Sequence, residues 1–231
     1  MSEPEPRTVV DPTTGRPILM APKRQRRPMH TGSNPTDKRC PFCSGHEADT
    51  PPELDAVRAD GTAKDTPGWS VRAFDNLYPA TPRHEVIAEG PAHAEHPSAL
   101  DAATLADAVS VWQRRITALE SSPDIACAYW FKNVGARAGA SIAHNHSQII
   151  GLDILPPRLE LERGQQRAHG TCLTCASLKN AEAEQRTIVT TDAFVALAPD
   201  PPKLPFETWL LPRDCHSDFL TADAAALGVI F

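Results

Sequence analysis

The sequence predicts an α+β fold: an antiparallel sheet with packed helices, followed by an incomplete second unit of the same type. Three observations carry this. Segments at 70–74, 84–89 and 125–133 and the run through residues 144, 146 and 148 have the period of two that places alternate side chains on one face of a sheet. One amphipathic helix lies between them at about 99–120. The order of a C-x-x-C pair, an aromatic-led strand and a histidine after a proline then recurs in the second half. The units are placed at 1–155 and 156–231.

With 231 residues the chain is long enough to bury a real core. Its 23 prolines are about twice average usage, which favours extended connections over a helical bundle. A net charge of −6 argues against a general nucleic-acid or membrane surface. No apolar run reaches membrane-spanning length and no signal-peptide pattern opens the chain, so a cytoplasmic location is expected. Four of the six cysteines form two C-x-x-C pairs. Without a secretory signal, metal ligation is favoured over a disulfide framework.

Residues 1–17 read as a polar, Pro-rich arm, and 18–21 as a short strand. The basic cluster Pro22-Lys23-Arg24-Gln25-Arg26-Arg27-Pro28 is either a solvated charge run or a place where Arg24 and Arg27 fold back over a phosphate, whose oxygens a guanidinium matches bidentately. Arg39-Cys40-Pro41-Phe42-Cys43-Ser44-Gly45 is a knuckle able to present two thiolates to one ion. Residues 48–68 lack periodicity and read as a loop. The strand at 70–74 ends in Asp75-Asn76, where Asn76 either caps a turn or faces a nucleotide. Another strand follows at 84–89.

For the helix, Ser98 and Asp101 suggest a capping box, and Leu105, Val109, Trp112, Ile116 and Leu119 form its core-facing stripe. The strand at 125–133 leads through a Gly-rich turn to the segment carrying His144, His146 and Gln148, which reads as one strand and part of an antiparallel meander. Beyond Pro156, residues 158–182 are polar and helix-prone, strands are expected at 187–190 and 194–198, and a third should open with Glu207. A repeated unit should continue through a helix, a strand and a second histidine strand. The sequence stops at Phe231 and looks cut short.

Cys40, Cys43, His93 and His144 form a ligand set suited to structural zinc, with His96 competing for the place of His93. A second zinc set would use Cys172, Cys175 and His216. His169 and Cys215 are candidates for its fourth ligand, Cys215 the poorer because it adjoins His216. Both sets compete with a plainer reading as buried cysteines and satisfied histidines.

A zinc-bound His144 would pin the chain beside His146. An imidazole nitrogen attacks phosphorus well and also leaves well, so His146 could split a phosphoryl or nucleotidyl transfer into two displacements. A backbone carbonyl, that of His144 among the candidates, would fix its tautomer. Gln148 can donate its amide to a phosphate oxygen, Gly139 permits close backbone approach, and Ser141 adds a hydroxyl.

These residues resemble the galactose-1-phosphate uridylyltransferase family of the histidine-triad superfamily. The similarity runs through Asp11-Pro-Thr-Thr-Gly-Arg16, the 22–28 cluster, Cys40-Pro-Phe-Cys43, Phe74-Asp-Asn76, Pro91-Ala-His93 and Asn133…Gly139-Ala-Ser141…His144-Asn-His146-Ser-Gln148. The resemblance implies a nucleotidyl transferase of two related units, with a covalent nucleotidyl group on His146 and Gln148 beside it. It implies zinc on Cys40, Cys43, His93 and His144, and Arg24, Arg27, Asn76, Asn133, Gly139 and Ser141 around the nucleotide. Its partners would be a nucleotide sugar and a sugar phosphate or inorganic phosphate, with a homodimer supplying the distal sugar-phosphate contacts.

Three departures are visible, the shortened second unit being one. Asn145 stands where the uridylyltransferases usually have Pro, and the second C-x-x-C resembles relatives that act as ADP-sugar phosphorylases. Transfer of UMP between UDP-glucose and galactose 1-phosphate is therefore the leading expectation, with an ADP-sugar phosphorylase or adenylyltransferase as the alternative. A non-catalytic zinc-stabilised nucleotide-binding module is the reading from outside enzymology. Gln148 in place of an ionisable group counts against a hydrolase.

Overall fold

In the computed structural model, which describes residues 4–26, 39–215 and 218–228, a short hairpin of β1 (Arg7–Val10) and β2 (Pro17–Met20) comes first. Its first strand lies in the segment expected to be an arm. The turn Asp11–Arg16 closes it: the Asp11 carboxylate accepts from the Thr13 and Thr14 hydroxyls, a side-chain-stabilised turn that strand periodicity does not register.

The central sheet holds β3 (Glu53–Arg58), β4 (Trp69–Asp75), β5 (Arg83–Glu89), β6 (Cys127–Phe131) and β7 (His146–Leu152). Its order is β3-β4-β5-β7-β6, with every neighbouring pair antiparallel. β3 lies inside the stretch expected to be a loop. It is an edge strand whose charges are neutralised by neighbours: Glu53 pairs with Arg58 and Arg72, and Arg114 reaches Asp55 at 2.9 Å. Charged edge strands deter unwanted pairing, and that composition hides their periodicity.

Helix α1 (Ala102–Glu120) connects β5 to the edge strand β6 and covers one face of the sheet. Asp101 is its N-cap, accepting from the Thr104 N–H at 2.7 Å. The expected Ser98 capping box is replaced by a short 3-10 turn, Pro97–Ala99, which His96 caps. Val109, Trp112 and Ile116 pack with Val71, Ala73, Ile87 and Ile149. The expected stripe is therefore the core, and truncating a buried Trp such as Trp112 costs about 3–5 kcal/mol.

The opposite face carries Phe74, Val86 and Ala88 together with His84, His146 and Gln148, and faces the knuckle residue Phe42. His144 is not part of β7, contrary to the expectation of one strand through all three residues: it lies in a bend before the strand. The chain must turn there for the imidazole to reach the knuckle cysteines.

Helices α2 (Pro157–His169) and α3 (Leu173–Ala183) precede a second antiparallel sheet of β8 (Thr187–Thr190), β9 (Phe194–Leu197) and β10 (Trp209–Pro212). Its three strands follow one another as β3, β4 and β5 do. The last strand begins at Trp209 rather than at Glu207, because Phe206 takes a positive φ of 64° and the Glu207 N–H closes a turn on the Leu204 carbonyl at 3.2 Å. The short helix α4 (Ala224–Gly228) rests on α1. A Cβ on Gly228 would stand 2.8 Å from the Ala106 amide nitrogen, so glycine permits that close approach.

Candidate functional site

The knuckle and the bend before β7 meet. The ligand atoms of Cys40, Cys43, His93 and His144 all lie within 4.8 Å of one another. Cys43 Sγ is 3.5 Å from His144 Nδ1 and 3.7 Å from His93 Nδ1, and Cys40 Sγ is 3.7 Å from His144 Nδ1. A zinc tetrahedron with ordinary Zn–S and Zn–N bonds has ligand–ligand edges of about 3.3–3.8 Å, so the donor set fits that ion. His144 Nε2 lies 3.0 Å from the Gly90 carbonyl, the kind of outer partner that leaves Nδ1 for a metal. Burial pulls the His144 imidazole down to about 4, keeping it neutral. Burial, with Cys40 beside it, pushes the Cys43 thiol up to about 12, a cost that a divalent cation would relieve. His96 is outside the cluster and bonds Ser98.

A second group comprises Cys172, Cys175 and Cys215, again with ligand atoms within 4.8 Å. The Cys175 N–H lowers the Cys172 thiol to about 7, since Cys172 caps α3. Cys215, rated poorly placed from sequence because it adjoins His216, is the residue the fold brings to the pair. His216 lies outside the described residues. His169 instead bonds the Gln165 carbonyl in its own helix.

Beside the first cluster opens a cleft with about 750 Å³ of space including its mouth, within the range of small-ligand sites. His146, Gln148, Asn76 and Ser141 all line it. His146 Nδ1 is 2.7 Å from the His144 carbonyl oxygen, so that carbonyl accepts the ring proton and Nε2 is left as the basic nitrogen. Phe42 stands against both histidines, its ring centre 5.3 Å from that of His146 and 6.2 Å from that of His144. The knuckle thus braces the strand as well as gathering the thiols.

Arg24 sits in a 3-10 turn, Pro22–Arg26, and donates to the carbonyl of Tyr78, a cleft residue, at 2.8 Å. Arg27 lies outside the described residues. Asn133 follows β6, and Gly139 ends the Gly-rich turn at a left-handed φ of 88°; neither is among the residues lining the cleft. Sequence reasoning missed Phe42, Phe74, Tyr78 and above all His84. The available signal for His84 was its register with Val86 and Ala88, because a histidine on a buried face needs hydrogen-bond partners.

Among known proteins, the model of the galactose-1-phosphate uridyl transferase N-terminal domain matches residues 55–156. ADP-glucose phosphorylase of Arabidopsis thaliana is 32% identical over 90% of this chain and 66% of its own length. Galactose-1-phosphate uridylyltransferase of Thermotoga maritima is 26% identical over 88% of this chain and 65% of its own. The chain thus spans slightly less than two thirds of these relatives. The crystal structure of the Arabidopsis ADP-glucose phosphorylase with bound ADP-glucose aligns with a TM-score of 0.70 and 31% identity, over 98% of this chain and 75% of that one.

Proposed function

Because the chain belongs to the galactose-1-phosphate uridylyltransferase family, we propose that it is a nucleotidyl transferase that carries a nucleoside monophosphate on His146. The single observation behind this reading is the His146 ring, bonded through Nδ1 to the His144 carbonyl and lining a cleft with Gln148. The favoured reaction is adenylyl transfer from ADP-glucose to inorganic phosphate. The 32% identity to the Arabidopsis ADP-glucose phosphorylase supports it. UMP transfer between UDP-glucose and galactose 1-phosphate is the second reading, supported by the family model and the Thermotoga relative.

His146 Nε2 uses its lone pair to attack the α-phosphorus. An N–P bond forms, the bond to the bridging oxygen breaks, and glucose 1-phosphate leaves with that electron pair. A phosphate oxygen then attacks the same phosphorus, the N–P bond breaks, and the imidazole is restored as ADP departs. The His144 carbonyl holds the ring proton during the first step and stabilises the charge the ring gains. Gln148 donates to a non-bridging oxygen, and Arg24, bonded to the carbonyl of the cleft residue Tyr78, would offset negative charge. Cys40, Cys43, His93 and His144 would hold zinc, whose part when bound is to tie the knuckle to the bend; Cys172, Cys175 and Cys215 would supply three thiolates to a second ion.

Incubation with ADP-glucose or UDP-glucose labelled in the α-phosphate, without acceptor, tests the reading. Label should appear on His146 and leave on addition of phosphate or galactose 1-phosphate, respectively. Protein that stays unlabelled with both donors would overturn it.

A further inference from the structure

We infer that His84 is a positioning residue that sets which end of the Gln148 amide faces the cleft. The inference rests on the nucleotidyl-transfer reading for what the amide does. Its geometry stands independently.

His84 is buried at the start of β5, diagonally across from Gln148 on β7. The Ala80 backbone N–H donates to His84 Nδ1 at 2.9 Å. A ring nitrogen that accepts a hydrogen bond carries no proton, so the neutral imidazole holds its proton on Nε2. That nitrogen lies 2.9 Å from Gln148 Oε1 and donates to it. The Gln148 oxygen is thereby tied to His84, and the NH₂ end is left for the cavity that Gln148 lines.

The consequence is electrostatic. An amide turned the other way would present a carbonyl oxygen to a phosphate and repel it. Tied as it is, the amide presents N–H donors whose orientation is set before the ligand arrives.

Asn76 follows the same logic. Its Oδ1 accepts from the Tyr78 N–H at 2.8 Å, which fixes Nδ2 as the other end of the amide. Asn76 Nδ2 lies 3.1 Å from His84 Nε2, but both atoms are donors in this tautomer, so His84 does not accept the Asn76 hydrogens. The opposite assignment would need lone pairs on both ring nitrogens, which a neutral imidazole lacks. Two amides lining one cleft therefore each have their oxygen engaged. Such a pair of amides offers donors to an anion without either side chain carrying a charge.

Nitrogen-15 NMR of the histidine-labelled full chain tests the tautomer directly, with His84 assigned by its loss in His84→Phe. The expected spectrum has the proton on Nε2; a proton on Nδ1 would overturn the inference, whatever the enzyme turns over. The functional arm measures the rate of His146 labelling from ADP-glucose. His84→Phe should slow it by about 10²-fold, the scale of losing one preorganised donor. His84→Gln, whose amide N–H can take the place of Nε2–H, should recover most of the rate. In a Gln148→Ala background His84→Phe should cost less than about threefold, because residues acting as one unit are not additive. Effects that multiply instead, or a Gln variant as slow as Phe, would sink the positioning role. If the wild-type chain takes no label, the transfer reading falls and the tautomer still decides the inference.

Discussion

The Asn145 side-chain nitrogen lies 3.0 Å from Glu89 Oε2, and the backbone of Asn145 is held as well. Its N–H donates to the Ala94 carbonyl at 2.6 Å, and its carbonyl accepts from the Glu89 N–H at 3.1 Å. The residue between the cluster histidine and the cleft histidine is therefore fixed to β5 and the segment after it from three directions. Glu89 is fully buried and also takes Trp112 Nε1 at 3.1 Å and the Lys132 ammonium. Restraint that proline would give through its ring comes here through a hydrogen-bonded amide.

Asn145→Ala should destabilise the fold by about 1–3 kcal/mol, the cost of leaving a buried polar group short of a partner. Asn145→Pro should cost at least as much, because proline has no N–H for Ala94. Thermal melting checks both, and a Pro variant more stable than the parent would contradict this account.

Glu89→Ala should be more severe, about 3–5 kcal/mol, because it strands the Lys132 charge together with two N–H donors. Chemical denaturation measures it. The paired change Glu89→Leu/Lys132→Met should be less harmful than Glu89→Ala alone.

Zinc analysis of purified protein should give close to two ions per chain. Cys43→Ser should lose one and also His146 labelling, since that cluster braces the bend. Cys215→Ser should lose the other with labelling largely kept. Retention of both ions in Cys215→Ser would remove Cys215 from the second set.

Gln148→Glu should retain the fold and reduce labelling of His146 by about 10²–10³-fold, because a carboxylate supplies no donor and repels the phosphate. Quantified label per chain, with a melting curve alongside, checks it.

Burial alone would raise the Glu47 carboxyl, but hydrogen bonds from Trp69 Nε1 at 2.7 Å and from the Gly45 N–H outweigh it and hold it below its ordinary value. A depressed folded-state pKa contributes stability that is present above the unfolded value, about 4.3 for Glu, and is lost as pH falls through the folded one. Glu47→Gln should therefore flatten the acid limb of the stability curve and leave the fold weaker at pH 7. Denaturation midpoints from pH 7 down to 3 measure this.

The sequence by itself determined the elements built on an apolar face and the candidate chemistry. The stripe from Leu105 to Leu119 could face only a core, and Cys40, Cys43, His144, His146 and Gln148 stood out by type and spacing as candidate ligand and cleft residues. Segments whose cohesion is not hydrophobic were illegible. Strand β3 is held by ion pairs, and the β1–β2 turn by a carboxylate and two hydroxyls.

Only the tertiary structure decided which partners meet. It placed His93 rather than His96 with the thiols, brought Cys215 to Cys172 and Cys175, and set His84 against Gln148. The reason is physical: periodicity records which face a side chain takes, whereas a ligand set or a hydrogen-bond direction depends on distances between segments far apart in the chain.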